Sequence, residues 1–391
     1  MTKRRVVVTG LGVVAAPGVG IDEFWKGLSA APGPGPLRVL DWDAEARGIP
    51  RREARRLDRF SQFAVVATAE AMEMAGGLPY EPERIGVSIG TGIGGLESLE
   101  KLIYAADDPE PRVSPLWVPM MMCNAAAATI SIKYGFVGPA TTPVVACAAG
   151  AQAILDAFRN IQWGSCDAAI AGGSEGAISP PTILGFSSAR ALSPSGYARP
   201  FDLHRDGFVL GEGCGIMVLE EREAALARGA PILAEVVGAA STADGHHITA
   251  PHPEGEGAER AMRLALADAD LSPADVAYVN AHGTGTDLND RTEGTVMYRI
   301  FGDDQPPISS IKGTTGHGLG ASGAIEAVAS ILAIVRGELP PNVGLSELDP
   351  EIPVTHVVRA PEAWKPGVVV SNSFGFGGHN TVLVMAPPEA L

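Results

Sequence analysis

A cysteine in a turn of small residues and two histidines set between glycines are the groups in this chain whose types and surroundings suit covalent chemistry. Cys147 lies in Val144-Val145-Ala146-Cys147-Ala148-Ala149-Gly150. The segment reads as a strand passing through a tight turn into a helix, since Ile154, Phe158 and Ile161 recur at helical spacing and Gly164 supplies a stop. A thiol in the first turn of a helix faces the positive end of the helix dipole and its free N–H groups. That setting lowers the thiol pKa and favours thiolate, the nucleophilic form. Most free cysteines are instead small buried core residues, and it is the histidines that favour the nucleophile here.

His282 lies in Asn280-Ala281-His282-Gly283-Thr284-Gly285-Thr286, just after the apolar run Val276 to Asn280. His317 lies in Lys312-Gly313-Thr314-Thr315-Gly316-His317-Gly318-Leu319-Gly320, ahead of a helical pattern of Ile325, Val328, Leu332 and Val335. Flanking glycines let the backbone approach a ligand closely, and strand ends are where open α/β sheets bind ligands. Lys312 follows the strand Ile308 to Ile311 and can set a fixed charge beside the site. Asp290 and Glu293 share one face of the helix after His282, where either can orient a histidine or pair with Lys312. A last loop, Ser371-Asn372-Ser373-Phe374-Gly375-Phe376-Gly377-Gly378-His379-Asn380, can present backbone N–H groups to an oxyanion and swing a phenyl ring across a pocket.

Positioning these groups requires strands that end at one face. Apolar runs alternate with helical patterns along the chain, which predicts an α/β protein with buried sheets. The runs are Arg5 to Val8, Ile85 to Ile89, Pro143 to Ala146, Ala168 to Ala171, Gly215 to Leu219, Ile232 to Val237, Val276 to Asn280, Ile308 to Ile311, Val368 to Ser371 and Thr381 to Met385. Two halves repeat the same order of segments: an apolar strand, a strand entering a Gly/Thr loop, a sharp turn leading into an Ala-rich helix, and a closing strand. The pattern predicts a duplicated α/β unit, 1–229 with the nucleophile and 230–391 with the histidines, the lysine and the Gly/Phe loop.

Composition narrows the function classes. At 391 residues, with 46% hydrophobic and 19% charged residues, the chain can bury a large core. The balance of 29 basic against 45 acidic residues, −16 overall, lacks the electrostatic footprint of a nucleic-acid binder. The dense basic cluster is Arg51, Arg52, Arg55, Arg56 and Arg59, on a helical segment. Cys123, Cys147, Cys166 and Cys214 are far apart in sequence, against a disulfide framework or a zinc site and in favour of a reducing cytoplasm. No apolar run approaches the roughly 18 residues of a membrane span. Gly10-Leu11-Gly12-Val13-Val14-Ala15 imitates a dinucleotide fingerprint, but Pro17 and Gly18 interrupt the required helix and no acidic residue sits about 20 residues on. His246, His247 and His252 lie in a Gly/Pro loop without metal-ligand spacing, so no metal is expected.

Taken together, the motifs resemble the β-ketoacyl-acyl carrier protein synthases, the elongating condensing enzymes of type II fatty acid and polyketide synthases in the thiolase superfamily. The likeness runs from Val6-Val7-Val8-Thr9-Gly10 to the Gly/Phe loop and includes Gly92-Ile93-Gly94-Gly95, Arg199-Pro200-Phe201-Asp202 and Arg205-Asp206-Gly207-Phe208. It implies a thiolase-like fold of duplicated halves in five αβαβα layers, usually dimeric, with Cys147, His282 and His317 as a triad. Cys147 would take the acyl chain, and the N–H groups of Cys147 and Phe376 would hold the oxyanion. The histidines would then stabilise the enolate formed from malonyl-acyl carrier protein. Thr284 and Thr286 would bind the phosphopantetheine arm, and Phe374 would also meet substrate. Phe376 matches the gate and Ile93 the far end of the acyl tunnel. Lys312 and Glu293 match the supporting charged pair, with Asp290 beside them.

Acidic carrier proteins would dock on Arg51, Arg52, Arg55, Arg56 and Arg190. No cofactor is implied beyond the carrier's arm. Ala149 stands where Ser or Thr is usual and Gly313 where Ser or Ala is common, which would enlarge the site slightly. The short stretch from Leu28 to Arg51 and the Asn289-Asp290-Arg291 sequence resemble polyketide enzymes, some of which pair with a chain-length factor. The partner is therefore a second copy or such a subunit. A non-catalytic subunit would lack Cys147, and a thiolase would carry a second cysteine as base. A non-condensing acyltransferase of the same fold and a housekeeping fatty acid synthase are the alternatives.

Overall fold

The computed structural model describes residues 3–108, 110 and 113–388, so the outermost residues of both expected halves lie outside it. The fold rests on strands β1 (Val6–Ala15), β2 (Ile85–Gly90), β3 (Ala168–Glu175), β4 (Gly213–Glu221), β5 (Ala234–Ala243), β6 (Val276–Asn280), β7 (Val368–Gly375) and β8 (His379–Ala386). Two-residue strands, Ala140–Thr141 and Ile308–Ser309, close the two edges. The order across the sheet is Ala140–Thr141, β2, β3, β4, β1, β5, β8, β7, β6, Ile308–Ser309.

Each half of that order follows one rule. The first strand runs antiparallel to the last, β1 to β4 and β5 to β8. The last is antiparallel to the one before it, β4 to β3 and β8 to β7. The next pairs are parallel, β3 to β2 and β7 to β6. The halves meet where Val6–Val8 pair antiparallel with 234–236.

Helices α1 (Arg59–Ala75), α2 (Ala149–Gln162), α3 (Glu256–Asp268), α4 (Asp287–Phe301) and α5 (Ser322–Arg336) complete the layers. Alternation along the strands sorts the core. Val8, Met217, Val369 and Leu383 face a central cluster with Ile154, Phe158, Ile325 and Val328 of α2 and α5. Ile170, Ile216 and Val218 face Phe60, Phe63 and Ala67 of α1 on one outer side. Val370, Val382 and Val384 face Ala261, Met262, Val296 and Met297 of α3 and α4 on the other. This is the five-layer αβαβα arrangement, with α2 and α5 sandwiched between the half-sheets. Their first turns touch reciprocally: a Cβ on Gly150 would lie 2.9 Å from the Ala324 nitrogen, and one on Gly323 3.0 Å from the Ala151 nitrogen. Contrary to the expectation that no apolar run approaches membrane-span length, Leu319–Arg336 is long and apolar enough to cross a membrane, yet 89% of it is buried inside the protein.

Two further expectations need correction. The first strand does not stop after Val8 but continues to Ala15. Its glycines are there for packing: a Cβ at Gly10 would sit 2.1 Å from the Ala71 carbonyl oxygen, and one at Gly12 1.8 Å from that of Ala67, so α1 lies directly on the strand. Residues 143–146 form no strand, and the edge strand is Ala140–Thr141 instead. Pro143 has no N–H for a ladder, and Gly375 lies over the Val145 carbonyl.

Candidate active site

Cys147 sits in a 3₁₀ turn, Ala146–Ala148, that opens directly into α2. Ala146 is held in the left-handed region at φ 50°, a strained conformation for a residue with a side chain. That kink turns the Cys147 thiol toward a cavity while the helix behind it stays buried. Gly375 makes the opposite wall possible. A Cβ there would meet the Val145 oxygen at 2.9 Å and the Cys147 nitrogen at 3.2 Å, so only glycine lets the Gly/Phe loop lie against the nucleophile turn.

Cys147, His282, His317, Thr284, Thr286, Phe374, Phe376 and Arg190 all line one cavity of about 310 Å³. The strand end at Asn280 delivers His282, and the bend before α5 delivers His317. Their rings are 5.4 Å apart, with Phe374 5.8 Å from His282 and Phe208 5.1 Å from His317.

Lys312 Nζ donates to the His282 carbonyl at 2.5 Å and lies 3.3 Å from His282 Nδ1. An ammonium is only a donor, so Nδ1 accepts and the ring proton is on Nε2, facing away from the lysine. His317 Nδ1 is 3.0 Å from Ser322 Oγ. Burial first and the Lys312 charge second hold both imidazoles well below their usual value, so they are neutral near pH 7.

The thiol behaves differently from the sequence expectation. Burial pushes Cys147 up to about 11, against the pull of Lys312 and of the Phe376 and Cys147 N–H groups. The resting group is a thiol. The same two N–H groups are the oxyanion donors implied by the resemblance.

The charged support is also rearranged. Lys312 pairs with Glu326 of α5, both fully buried, and not with Glu293 or Asp290. Burial pushes Glu326 up to about 7 against that pairing. Glu293 accepts the N–H groups of His282 at 2.9 Å and Gly283 at 2.8 Å, and the Asn372 amide at 3.0 Å. Asp290 accepts from Phe201 N at 2.8 Å and Gly285 N at 3.2 Å. Both carboxylates therefore shape the histidine loop through its backbone. Glu326 was missed, although a single carboxylate inside the apolar run 322–335 requires a buried partner.

Gly313 does not enlarge the site, since a Cβ there would lie 1.9 Å from the Val343 oxygen. Ala149 is buried behind the turn and is not among the cavity-lining residues. Ile93 is 36% exposed and outside this cavity, with its carbonyl 3.5 Å from the Cys123 sulfur. Of the docking candidates, Arg190 alone lines the cavity, whereas Arg51, Arg52, Arg55 and Arg56 are exposed on and beside the short helix Arg51–Ala54. Arg59 leaves that cluster, because it pairs with Glu212 at 2.6 Å and donates to the Val39 carbonyl.

Residues 31–225 match the β-ketoacyl synthase N-terminal domain and residues 233–346 its C-terminal domain. The chain belongs to the β-ketoacyl synthase family, and it is an enzyme of the acyltransferase type. It is 46% identical, over 98% of both chains, to 3-oxoacyl-[acyl-carrier-protein] synthase 2 of Synechocystis sp.. It is 42% identical, over 99% of both, to the protein of that name from Staphylococcus aureus. Among solved structures, the ishigamide ketosynthase/chain length factor matches with TM-score 0.92 and 33% identity, covering 98% of this chain and 99% of that one. A type II polyketide ketosynthase solved with its acyl carrier protein and a hexaketide matches with TM-score 0.89 and 31% identity, covering 99% and 100%.

Proposed function

We propose that the chain condenses an acyl group carried on Cys147 with malonyl-acyl carrier protein, releasing carbon dioxide and 3-oxoacyl-acyl carrier protein, in type II polyketide or specialised fatty acid biosynthesis. One observation carries the reading: the cavity unites the Cys147 turn of one half with two neutral imidazoles of the other.

In the loading step the Cys147 sulfur attacks the carrier thioester. A neutral imidazole takes the thiol proton, the N–H groups of Cys147 and Phe376 hold the oxyanion, and the carrier's phosphopantetheine thiol leaves with the proton. Malonyl-acyl carrier protein then enters with its arm beside Thr284 and Thr286, whose hydroxyls are 2.9 Å apart, and beside Phe374. Cleavage of the carboxyl C–C bond releases carbon dioxide and leaves its electron pair as an enolate. Nε2–H of His282, fixed by Lys312, and the His317 imidazole stabilise the enolate oxygen. The carbanion attacks the Cys147 thioester, the C–S bond breaks, and the thiolate regains a proton.

The acyl groups arrive on the carrier's arm, so the reaction needs no separate cofactor. Exposed Arg51, Arg52, Arg55 and Arg56, with Arg190 at the cavity, supply a basic surface for an acidic carrier. Ile103, Tyr104, Val118 and Ile132, on the neighbouring helices Leu96–Ala106, Trp117–Met121 and Ala125–Tyr134, are between 53% and 82% exposed, a surface suited to a second copy or a chain-length-factor-like subunit. The halves 1–229 and 230–391 act as one catalytic unit. Four unpaired cysteines and the burial of Leu319–Arg336 support a cytoplasmic enzyme.

A second reading, housekeeping fatty acid elongation, is favoured by the higher identity to the 3-oxoacyl synthases, 46% against 33% for the ishigamide enzyme. Incubation with acyl- and malonyl-acyl carrier proteins, followed by intact mass, tests the reaction. The proposal expects an adduct on Cys147 and a 3-oxoacyl product. One extension per turnover with saturated substrates only would favour the second reading. An adduct without product would favour a non-condensing acyltransferase.

A further inference from the structure

The nucleophile turn has a counterpart in the second half. Leu319–Ala321 is also a 3₁₀ turn opening into a central helix, and Leu319, like Ala146, is left-handed, at φ 44°. The reciprocal contact of Gly150 with Ala324 and of Gly323 with Ala151 fixes the correspondence, which places Gly320 where the first turn has Cys147. A side chain cannot stand there, because a Cβ on Gly320 would lie 2.1 Å from the Gly92 nitrogen. The Gly320 N–H, counterpart of the oxyanion donor at Cys147, is nevertheless occupied. It donates to Glu175 Oε2 at 3.1 Å, and Gly92 N donates to the same oxygen at 2.6 Å. Thr91 Oγ1 donates to Oε1 at 3.1 Å and in turn accepts Gly94 N at 3.1 Å. Glu175 is fully buried and no cation pairs with it among the described residues. A carboxylate so placed is held by its donors alone.

We propose that Glu175 is a positioning residue for condensation: filling the unused second copy of the oxyanion site, it clamps loop 91–94 of one half to the His317–Gly320 bend of the other. The clamp is directly behind the chemistry. Gly90 packs on the Ala149 carbonyl just after Cys147, and Leu319 packs in the same apolar cluster as Cys147. Releasing it frees the bend that carries His317 while leaving the Cys147 turn and its Phe376 partner in place. The condensing step is therefore hit harder than loading.

The inference rests on the condensing reading, and the test separates the two. Acyl carrier protein loaded with hexanoate is given to wild type, Glu175→Ala, Glu175→Gln and Glu175→Asp. Adduct formation on Cys147 is timed by intact mass, and 3-oxoacyl product is timed after adding malonyl-acyl carrier protein. Glu175→Gln keeps an oxygen for Gly92 and Gly320, and Thr91 Oγ1 can accept from its amide. Glu175→Asp keeps the carboxyl group but is one methylene too short. The expected result is loading within about 3-fold of wild type in all variants. Condensation falls at least 10-fold in Glu175→Ala, and Glu175→Gln outperforms Glu175→Asp. If Glu175→Ala fails to fold, the Gln–Asp order still decides. Aspartate outperforming glutamine, or loading and condensation falling in parallel, overturns the proposal. Wild type that loads no acyl group defeats the condensing reading instead.

Discussion

The turns that open α2 and α5 share a strained first residue and a 3₁₀ geometry, and they differ at the next position. In one, Cys147 lines the cavity, and its own N–H and that of Phe376 pull its thiol's pKa down against burial. In the other, Gly320 has given up its side chain so that Gly92 can approach, and a carboxylate accepts its N–H. A left-handed non-glycine residue costs on the order of 1–3 kcal/mol, so strain is stored in both copies. Only the first spends it on presenting a nucleophile. The second half contributes instead what the first lacks: His282, His317 and the Lys312–Glu326 pair. On the proposed reading, the two equivalent turns serve different ends, one as a nucleophile site and the other as a joint.

Breaking the second half's support has the largest expected effect. Lys312→Met leaves Glu326 buried without its cation and should cost about 3–5 kcal/mol. Lys312→Met combined with Glu326→Met should regain most of that stability while activity stays lost, as denaturant unfolding and condensation assays would show. Next comes the glycine itself. Gly320→Ala should cost roughly 2–3 kcal/mol by overpacking against Gly92, whereas Cys147→Ala at the matching position should cost no more than about 1 kcal/mol. Equal costs would mean that the two turns are packed alike.

A subtler effect concerns pH. His282 and His317 are held well below their usual value, so they gain protons only as the pH falls under the ordinary imidazole value of about 6.5. Neither ring's NMR signals should titrate between pH 8 and 6.5. The unfolded chain binds those protons first, so this pair withdraws stability as pH drops below about 6.5. A midpoint near 6.5 in the folded protein would mean a solvated cavity. Smallest is the docking surface: Arg190→Ala should raise KM for the carrier protein about 3-fold, less at high salt, with kcat unchanged.

The sequence made much of this site legible because the groups that line the cavity come embedded in local signals. Cys147 has its turn and the helix it opens, and the histidines have their glycines. What was not legible is held by contacts across the fold. Lys312 and Glu326 are 14 residues apart, and only the burial of α5 makes their pairing obligatory. Glu175 ends a strand with nothing beside it in sequence to mark a clamp, and its donors come from Thr91, Gly92 and Gly320. The thiolate expectation failed for the same reason. A helix start was readable, whereas the completeness of burial around Cys147 was not. The duplicated topology followed from segment order, but β1 ran past Val8 because its glycines serve a helix packed on the strand rather than a turn.

The central claim is that the two halves contribute separable chemistry to one cavity, loading from the Cys147 turn and enolate stabilisation from the histidines. The most direct measurement pairs acyl-adduct mass with carbon dioxide release from malonyl-acyl carrier protein in Cys147→Ala and His282→Ala. The account predicts that Cys147→Ala forms no adduct yet still releases carbon dioxide, whereas His282→Ala forms the adduct and releases almost none. Loss of both signals in each variant would contradict it.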